Sequence, residues 1–399
     1  MAAARFSRAT LAALAVLGAL AALATLVTLA ALLSGNSTAA APLPAQADLA
    51  HAVVLDEAAA RLGAVCLDGS PPRYYVRPGR GAGQRKWLVF HPSGGWCGSA
   101  ADCARHAHTP LGSSRPYPDR WAFDGEFLTT NRAVNPLMHD WNLAVLVYCD
   151  GGSLSGNASA PVRVGAQTLY YRGARILAAF QAALVARHAL GAATDVVSAG
   201  ISAGAHAALL HADGWAALVP PGARVAALLD SGFFLDWPGR HAYGAAMAHV
   251  WQAMQPVLPA ACAAQYASPV LAAAPHPCLL AEHAVPFVRT PLFVFHSMYD
   301  VWQQQHVLGS TTDAAAINAF GAALLARVEQ SVLAPHPANA AFVDSCARHA
   351  YGATRLRAHG STMADAFALW YTNQTERRLW AQRRPYPCAA CCTGQSLPP

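Results

Sequence analysis

The chain has 399 residues, 54% hydrophobic and 12% charged, a balance that supports a large buried core and excludes a disordered protein. Its net charge of +6 comes without a basic run or interleaved aromatic stripe, which excludes the usual nucleic-acid footprint and leaves an acidic polymer as a compatible partner. The 17 histidines are scattered and no Cys/His set has metal-site spacing, so neither a metal nor another cofactor is expected.

Residues 1–9 carry Arg5 and Arg8 and read as a short cytosolic N-terminus, followed over 10–33 by an apolar segment. The run Leu11 to Leu33 exceeds an ordinary signal-peptide core and is long enough to span a bilayer, with the basic residues directing everything after it across the membrane. A membrane anchor and a signal cleaved near Ala39-Ala40-Ala41 both remain open. Residues 34–49, rich in Ala, Ser and Pro, read as a stem, and 50–399 as the folded domain. Passage into the secretory pathway, ending at the cell wall, the extracellular space or a membrane-anchored lumenal domain, agrees with two further features. The ten cysteines (Cys66, Cys97, Cys103, Cys149, Cys262, Cys278, Cys346, Cys388, Cys391 and Cys392) are an even set suited to disulfides. Asn36, Asn157 and Asn373 each head an Asn-x-Ser/Thr glycosylation acceptor.

Within the folded domain, Lys86 to Phe90, Leu143 to Tyr148, Asp195 to Ser198, Val225 to Leu229 and Pro291 to His296 are short apolar runs of the kind that form strands covered on both faces. Helical patterns lie between and after them, at Leu169 to Ala189, Ala205 to Leu218, Ala314 to Val332 and Thr362 to Tyr371. Thr362 and Asp365 have the spacing of a capping box. Strands alternating with helices imply an α/β fold with a mainly parallel sheet. The proline-broken stretch Trp237 to Pro286, with Cys262 and Cys278 placed to pin it, reads either as an insertion that caps a site or as a purely structural excursion.

At the end of the third run stands Gly200-Ile201-Ser202-Ala203-Gly204. A serine between two glycines at a strand-to-helix junction is the pattern of a nucleophile elbow, where a side chain two residues either side would collide with the turn. A nucleophile there requires an acid and then a histidine further along, each on a loop after a strand. Asp300, just after Pro291 to His296, meets the first condition on chain order; its alternative role is a helix N-cap, and Asp230 is the rival acid. His349, beside Cys346, is the best-placed base, with His306, His336 and His359 as alternatives. An oxyanion needs N–H donors as well, for which Ala203 and the glycine-bearing loop in Leu88 to Cys97, with Gly94 and Gly95, are the candidates; a simple turn would use the same residues.

From about Cys66 to Cys391 the chain resembles the pectin acetylesterase family, which also includes the Notum-type carboxylesterases. CLDGSPPRYY, GAGQRKWLVF, GGWC, LGSSR, NPLMHDWNLAVLVYCDG, GISAG, DSGFFLD, YDVWQ, DSCARHA and PYPCAAC occur in the family's order. The resemblance implies an α/β-hydrolase-like fold and a Ser-His-Asp esterase, with the nucleophile on Ser202, the acid on Asp300 rather than Asp230, and the base on His349. It puts the oxyanion donors on the N–H groups of Gly94, Gly95 and Ala203. It further implies disulfides Cys66–Cys149 and Cys97–Cys103, with Cys346 tied to the tail. The chain departs from the family where Pro92-Ser93 replace an acid and a glycine, where Ile201 and Ala205 flank the elbow, and where Ala350 and Arg384 stand in place of cysteines, a bridge lost whole. The expected function is removal of O-acetyl groups from a cell-wall polysaccharide, pectin first. A Notum-like lipid or protein carboxylesterase and a catalytically weakened secreted binding protein are the alternatives.

Overall fold

The computed structural model describes residues 49–239, 241–267 and 274–395. They belong to a unit spanning Gln46–Pro399. The apolar run Leu11 to Leu33, the cleavage motif and Asn36 lie outside the described residues. Among those described, no helix is long and apolar enough to cross a membrane.

Ten strands make the central sheet. In chain order the strands are β1 (Leu49–Val54), β2 (Arg73–Arg77), β3 (Lys86–His91), β4 (Arg120–Ala122), β5 (Asn142–Leu146), β6 (Val162–Val164), β7 (Gln167–Leu169), β8 (Asp195–Ile201), β9 (Arg224–Asp230), β10 (Leu292–Ser297), β11 (Ala340–Asp344), β12 (Arg357–Ala358), β13 (Ser361–Thr362) and β14 (Leu379–Ala381). The large sheet runs β14-β11-β10-β9-β8-β3-β5-β2-β1-β4, while β6-β7 and β12-β13 form small separate ribbons. Pairing is parallel from β14 through β5 and antiparallel from β5 outward through β2, β1 and β4. The five apolar runs read as strands are β3, β5, β8, β9 and β10, with ends shifted by up to three residues.

Each central strand is buried on both faces because helices cover both sides. Helix Gly173–His188 directs Ile176, Leu177, Phe180, Ala183 and Leu184 inward, the three- and four-residue spacing of one helical stripe. Helix Met363–Tyr371 is held at its start by the Thr362/Asp365 capping box. The helix read over Ala205 to Leu218 is two, Ala203–Leu210 and Ala212–Ala216, and the one read over Ala314 to Val332 changes at Val328 into a π-helical turn. Leu169, placed at the start of a helix by its periodicity, belongs instead to β7, paired with Val162.

Strand order sets the location of the site. From β3 the chain moves one way to β5, and from β8 it moves the other way through β9, β10 and β11. Loops leaving the carboxyl ends of β3 and β8 therefore diverge and open a crevice between them, the place where open parallel sheets gather their functional groups.

Five disulfides join all ten cysteines: Cys66–Cys149, Cys97–Cys103, Cys262–Cys278, Cys346–Cys392 and Cys388–Cys391. Cys262–Cys278 staples the stretch between β9 and β10, which also contains helix His241–Met254.

Candidate active site

Ser202 sits between β8 and helix Ala203–Leu210 with φ 55° and ψ −122°, a backbone conformation that strains any residue with a side chain. Tight packing holds it there. The Ser202 N–H donates to Asp230 O at 2.8 Å, and Ser202 O accepts from His206 N–H at 2.9 Å. A Cβ on Gly200 would lie 2.3 Å from Gly204 O, and one on Gly204 would lie 2.1 Å from His91 O. The two glycines are therefore spaces into which neighbouring backbone fits, and their absence of side chain is what lets β8 turn sharply beside β3.

The Ser202 Oγ lies 2.8 Å from His349 Nε2, and His349 Nδ1 lies 2.8 Å from Asp300 Oδ2. These residues follow β8, β11 and β10, at the carboxyl edge of the sheet. Ser202 and Asp300 are buried, whereas the His349 side chain keeps 19% of its surface exposed, enough for a substrate to reach it. Asp300 performs both jobs considered for it: Oδ2 faces the imidazole, while Oδ1 caps helix Val301–His306 by accepting from Gln303 N–H at 2.9 Å. Anchoring one oxygen fixes the direction of the other.

A second imidazole approaches the same carboxylate, with His296 Nε2 3.6 Å from Asp300 Oδ2. Burial lowers its pKa to about 4, leaving it neutral at ordinary pH. The Gln303 side chain accepts from Leu235 N–H through Oε1, which turns its amide N–H toward His296 Nε2 at 2.8 Å. His296 Nε2 is thus an acceptor and does not compete with His349 for the Asp300 proton acceptor.

Asp230 does not contact His349. It belongs to the support of the His349 loop, in which Ala350, Tyr351 and Gly352 have φ of 62°, 61° and 101°. Successive N–H groups are tied down from outside: Ala350 to Ser231 Oγ at 2.9 Å, Tyr351 to Asp230 Oδ2 at 3.1 Å, and Gly352 and Ala353 to Glu126 Oε1 at 2.6 and 2.9 Å. Burial raises the Asp230 carboxyl to about 6, against the opposing charge of Arg348, whose guanidinium lies 3.8 Å from it and 2.5 Å from Asp344. Sequence reasoning missed Glu126 and Arg348. Glu126 lies 226 residues from its partner Gly352, and no local pattern joins them.

The remaining candidates are dispersed. His306 packs on Trp302, with ring centroids 4.5 Å apart; His336 Nε2 meets Pro286 O at 3.0 Å; His359 lies in the turn between β12 and β13. Gly94 and Gly95 follow β3, and Gly95 has φ 65°, open to glycine and costly for other residues. Ala203 begins its helix, so its N–H has no partner in the i−4 pattern and the helix N-terminus favours negative charge there. Next to the imidazole stand Trp302 and Phe234, with centroids 6.1 and 6.4 Å from that of His349. Trp96, Phe234, Tyr243 and Trp302 contact one another at 5.0 to 6.0 Å. Tyr243 brings the segment between β9 and β10 to this cluster.

A hydroxyl, an imidazole and a carboxylate in line at a strand-to-helix elbow, on a large mainly parallel sheet, define the α/β-hydrolase-like class. Residues 44–393 match the Pectinacetylesterase family model, and the chain belongs to that family. Pectin acetylesterase 5 of Arabidopsis thaliana is 30% identical over 88% of this chain and 86% of its own length. Pectin acetylesterase 7 of the same plant is 35% identical over 64% of each. The palmitoleoyl-protein carboxylesterase NOTUM of Homo sapiens is 32% identical over 43% of this chain and 34% of its own. The protein is a carboxylic ester hydrolase.

Proposed function

We propose that the protein is a serine esterase that removes O-acetyl groups from a cell-wall polysaccharide, with pectin as its first substrate. The observation that carries this reading is the unbroken line Ser202 Oγ, His349 Nε2, His349 Nδ1, Asp300 Oδ2, with both contacts at 2.8 Å. His349 Nε2 takes the Ser202 hydroxyl proton as Oγ attacks the acetyl carbonyl carbon. Gly94, Gly95 and Ala203 N–H groups receive the oxyanion. The intermediate collapses, the bond from carbonyl carbon to sugar oxygen breaks, and His349 returns the proton to the departing sugar hydroxyl. Water repeats the sequence on the acetyl-enzyme, releasing acetate and restoring Ser202. Asp300 holds the imidazole in the required tautomer and stabilises its charged form.

Two observations support a small acyl group on a polymer. The aromatic rings beside His349 pack against one another at centroid distances of 5.0 to 5.6 Å, a close apolar wall that suits a short acyl group. The relatives aligned over most of this chain are named pectin acetylesterases, whereas the human carboxylesterase aligns over 43% of it. Exposed Asn157 and Asn373, both in acceptor sequences, support a route through the secretory pathway.

The test is acetate release from acetylated pectin and acetylated xylan, and acid release from a long-chain acyl ester, by wild type and Ser202→Ala. Wild type is expected to favour acetylated pectin, with Ser202→Ala at least 1000-fold slower. Equal rates for the two proteins overturn the nucleophile, and preference for the long-chain ester overturns the substrate class.

A further inference from the structure

We propose that Tyr148 and Ser153 act as one buried positioning unit that locks together the two halves of the oxyanion hole. This rests on the reading of Ser202 as nucleophile and deepens it. The two halves come from distant chain segments: Gly94-Gly95 on the loop after β3, and Ala203 on the first turn after β8. Each is bonded to this pair. The Tyr148 hydroxyl donates to Gly95 O at 2.5 Å and accepts from Ser153 N–H at 3.0 Å. The Ser153 hydroxyl donates to Ala203 O at 2.8 Å and accepts from Trp96 Nε1–H at 2.7 Å.

Counting donors and acceptors leaves few alternatives. An indole N–H only donates and a carbonyl only accepts, so the Ser153 proton goes to Ala203 O and its lone pairs face Trp96 and His206 Nδ1, which lies 3.3 Å away. Burial lowers the His206 pKa to about 4, so its ring is neutral. Likewise the Tyr148 proton goes to Gly95 O, because the Ser153 N–H fills the acceptor role. Both hydroxyls are buried, so water does not replace either bond without a rearrangement.

Packing completes the lock. The Tyr148 ring lies against Gly94 so closely that a Cβ there would be 1.9 Å from Tyr148 Cδ1. Ser153 has φ 54°, a conformation that the surrounding bonds must stabilise, while Gly95 adopts φ 65° freely because it has no side chain. Gly95 O belongs to the rigid peptide joining Gly95 to Trp96, so fixing it limits the neighbouring Gly95 N–H through the torsions of Gly95 alone. Fixing Ala203 O at the same hub sets the distance between the loop and the helix N-terminus. The loop's own Pro92-Ser93 bring no acidic side chain to this task. An oxyanion gains from donors only when they are already aimed at it, and the Tyr148–Ser153 pair does the aiming from behind.

The test uses the full chain with Tyr148→Phe, Ser153→Ala and the double variant. Readouts are kcat and KM on p-nitrophenyl acetate, thermal midpoint, and inhibition constants for an arylboronic acid, which forms a tetrahedral adduct, and for a matching aryl acetamide, which stays planar. Each single variant is expected to lose 10- to 100-fold in kcat with KM within about twofold, and to bind the boronic acid weaker by a similar factor while binding the acetamide as before. The double variant is expected to lose little more than the worse single, as members of one unit do. Tyr148→Phe keeps the ring against Gly94, so it reports on the hydroxyl even if Ser153→Ala folds poorly. Unchanged kcat with a lowered melting point, or equal weakening of both inhibitors, overturns the proposal. A fluorophosphonate that labels wild type at Ser202 while the variants keep full kcat refutes the positioning role alone. Full activity in Ser202→Ala refutes the nucleophile and the positioning role with it.

Discussion

Gly204→Ala is a demanding substitution at this site, because the nearest atoms its single added carbon meets are all main chain. The new Cβ would lie 2.1 Å from His91 O and 2.3 Å from Pro92 O, and neither backbone atom can rotate away as a side chain would. Restoring ordinary contact needs roughly 1 Å of displacement between helix Ala203–Leu210 and the end of β3. Overpacking of this kind costs about 1–3 kcal/mol, to be read from urea denaturation. Pro92 leads through Ser93 into Gly94-Gly95, so the same shift moves the proposed oxyanion donors away from Ser202. A misplacement near 1 Å costs on the order of 100-fold in rate, to be read as kcat on p-nitrophenyl acetate with the protein still folded. Gly214→Ala is the control: its Cβ would lie 3.7 Å from Gln181 Nε2 at a helical position, so stability holds or rises slightly and kcat is unchanged. A Gly204→Ala protein as stable and as fast as wild type would refute the reasoning that these glycines are occupied by neighbouring backbone.

Two further outcomes follow from buried and half-buried polar groups. Glu126→Ala removes the acceptor of two loop N–H groups, so stability should drop by about 2–4 kcal/mol and kcat should fall as the His349 loop loosens; Glu126→Gln, which keeps an acceptor oxygen, should recover much of both, and denaturation with steady-state rates on the two variants checks this. Burial lowers His91 to about 3 and His206, His211 and His296 to about 4, while it raises Asp150 to about 7 and Asp230 to about 6. The unfolded imidazoles take up protons near pH 6.5, so the stability tied to their neutral form is complete above that pH and declines as pH falls toward 4. The two carboxyls act in the opposite sense, losing stability as pH rises from about 4 to 7, but the imidazoles outnumber them. Urea midpoints should therefore fall between pH 7 and pH 5, and a midpoint that rises on acidification would contradict the balance.

How much of this was legible before folding depends on the range of the signal. The runs that became β3, β5, β8, β9 and β10 announced themselves because a strand covered on both faces is apolar along its whole length. β11, Ala340–Asp344, gave no such notice: two of its five residues are alanine, and it is a strand because β10 and β14 pair with it on either side. The antiparallel edge formed by β2, β1 and β4 was not named either: β2 and β4 are five and three residues long and carry arginine, and the edge is built on β5, which supplies its first pairing. Ser202 could be named from the elbow pattern and Asp300 from chain order, and the family resemblance chose His349 among the downstream histidines, but the bonds between them could not be read.

The sequence by itself determined the chemistry on offer: a serine between glycines at a strand-to-helix junction, an acid and a histidine downstream in the right order, and a glycine-rich loop upstream. Those are local facts, set by backbone sterics and side-chain type within a few residues. Only the tertiary structure showed the Asp300 carboxylate 2.8 Å from the imidazole, and Asp230 and Glu126 bonded to the loop that carries it. Only the tertiary structure brought Tyr148 and Ser153 beneath both Gly95 and Ala203. The physical reason is that a hydrogen bond is specified within a few tenths of an ångström by groups contributed from many strands, and that precision exists only after the sheet has fixed their register.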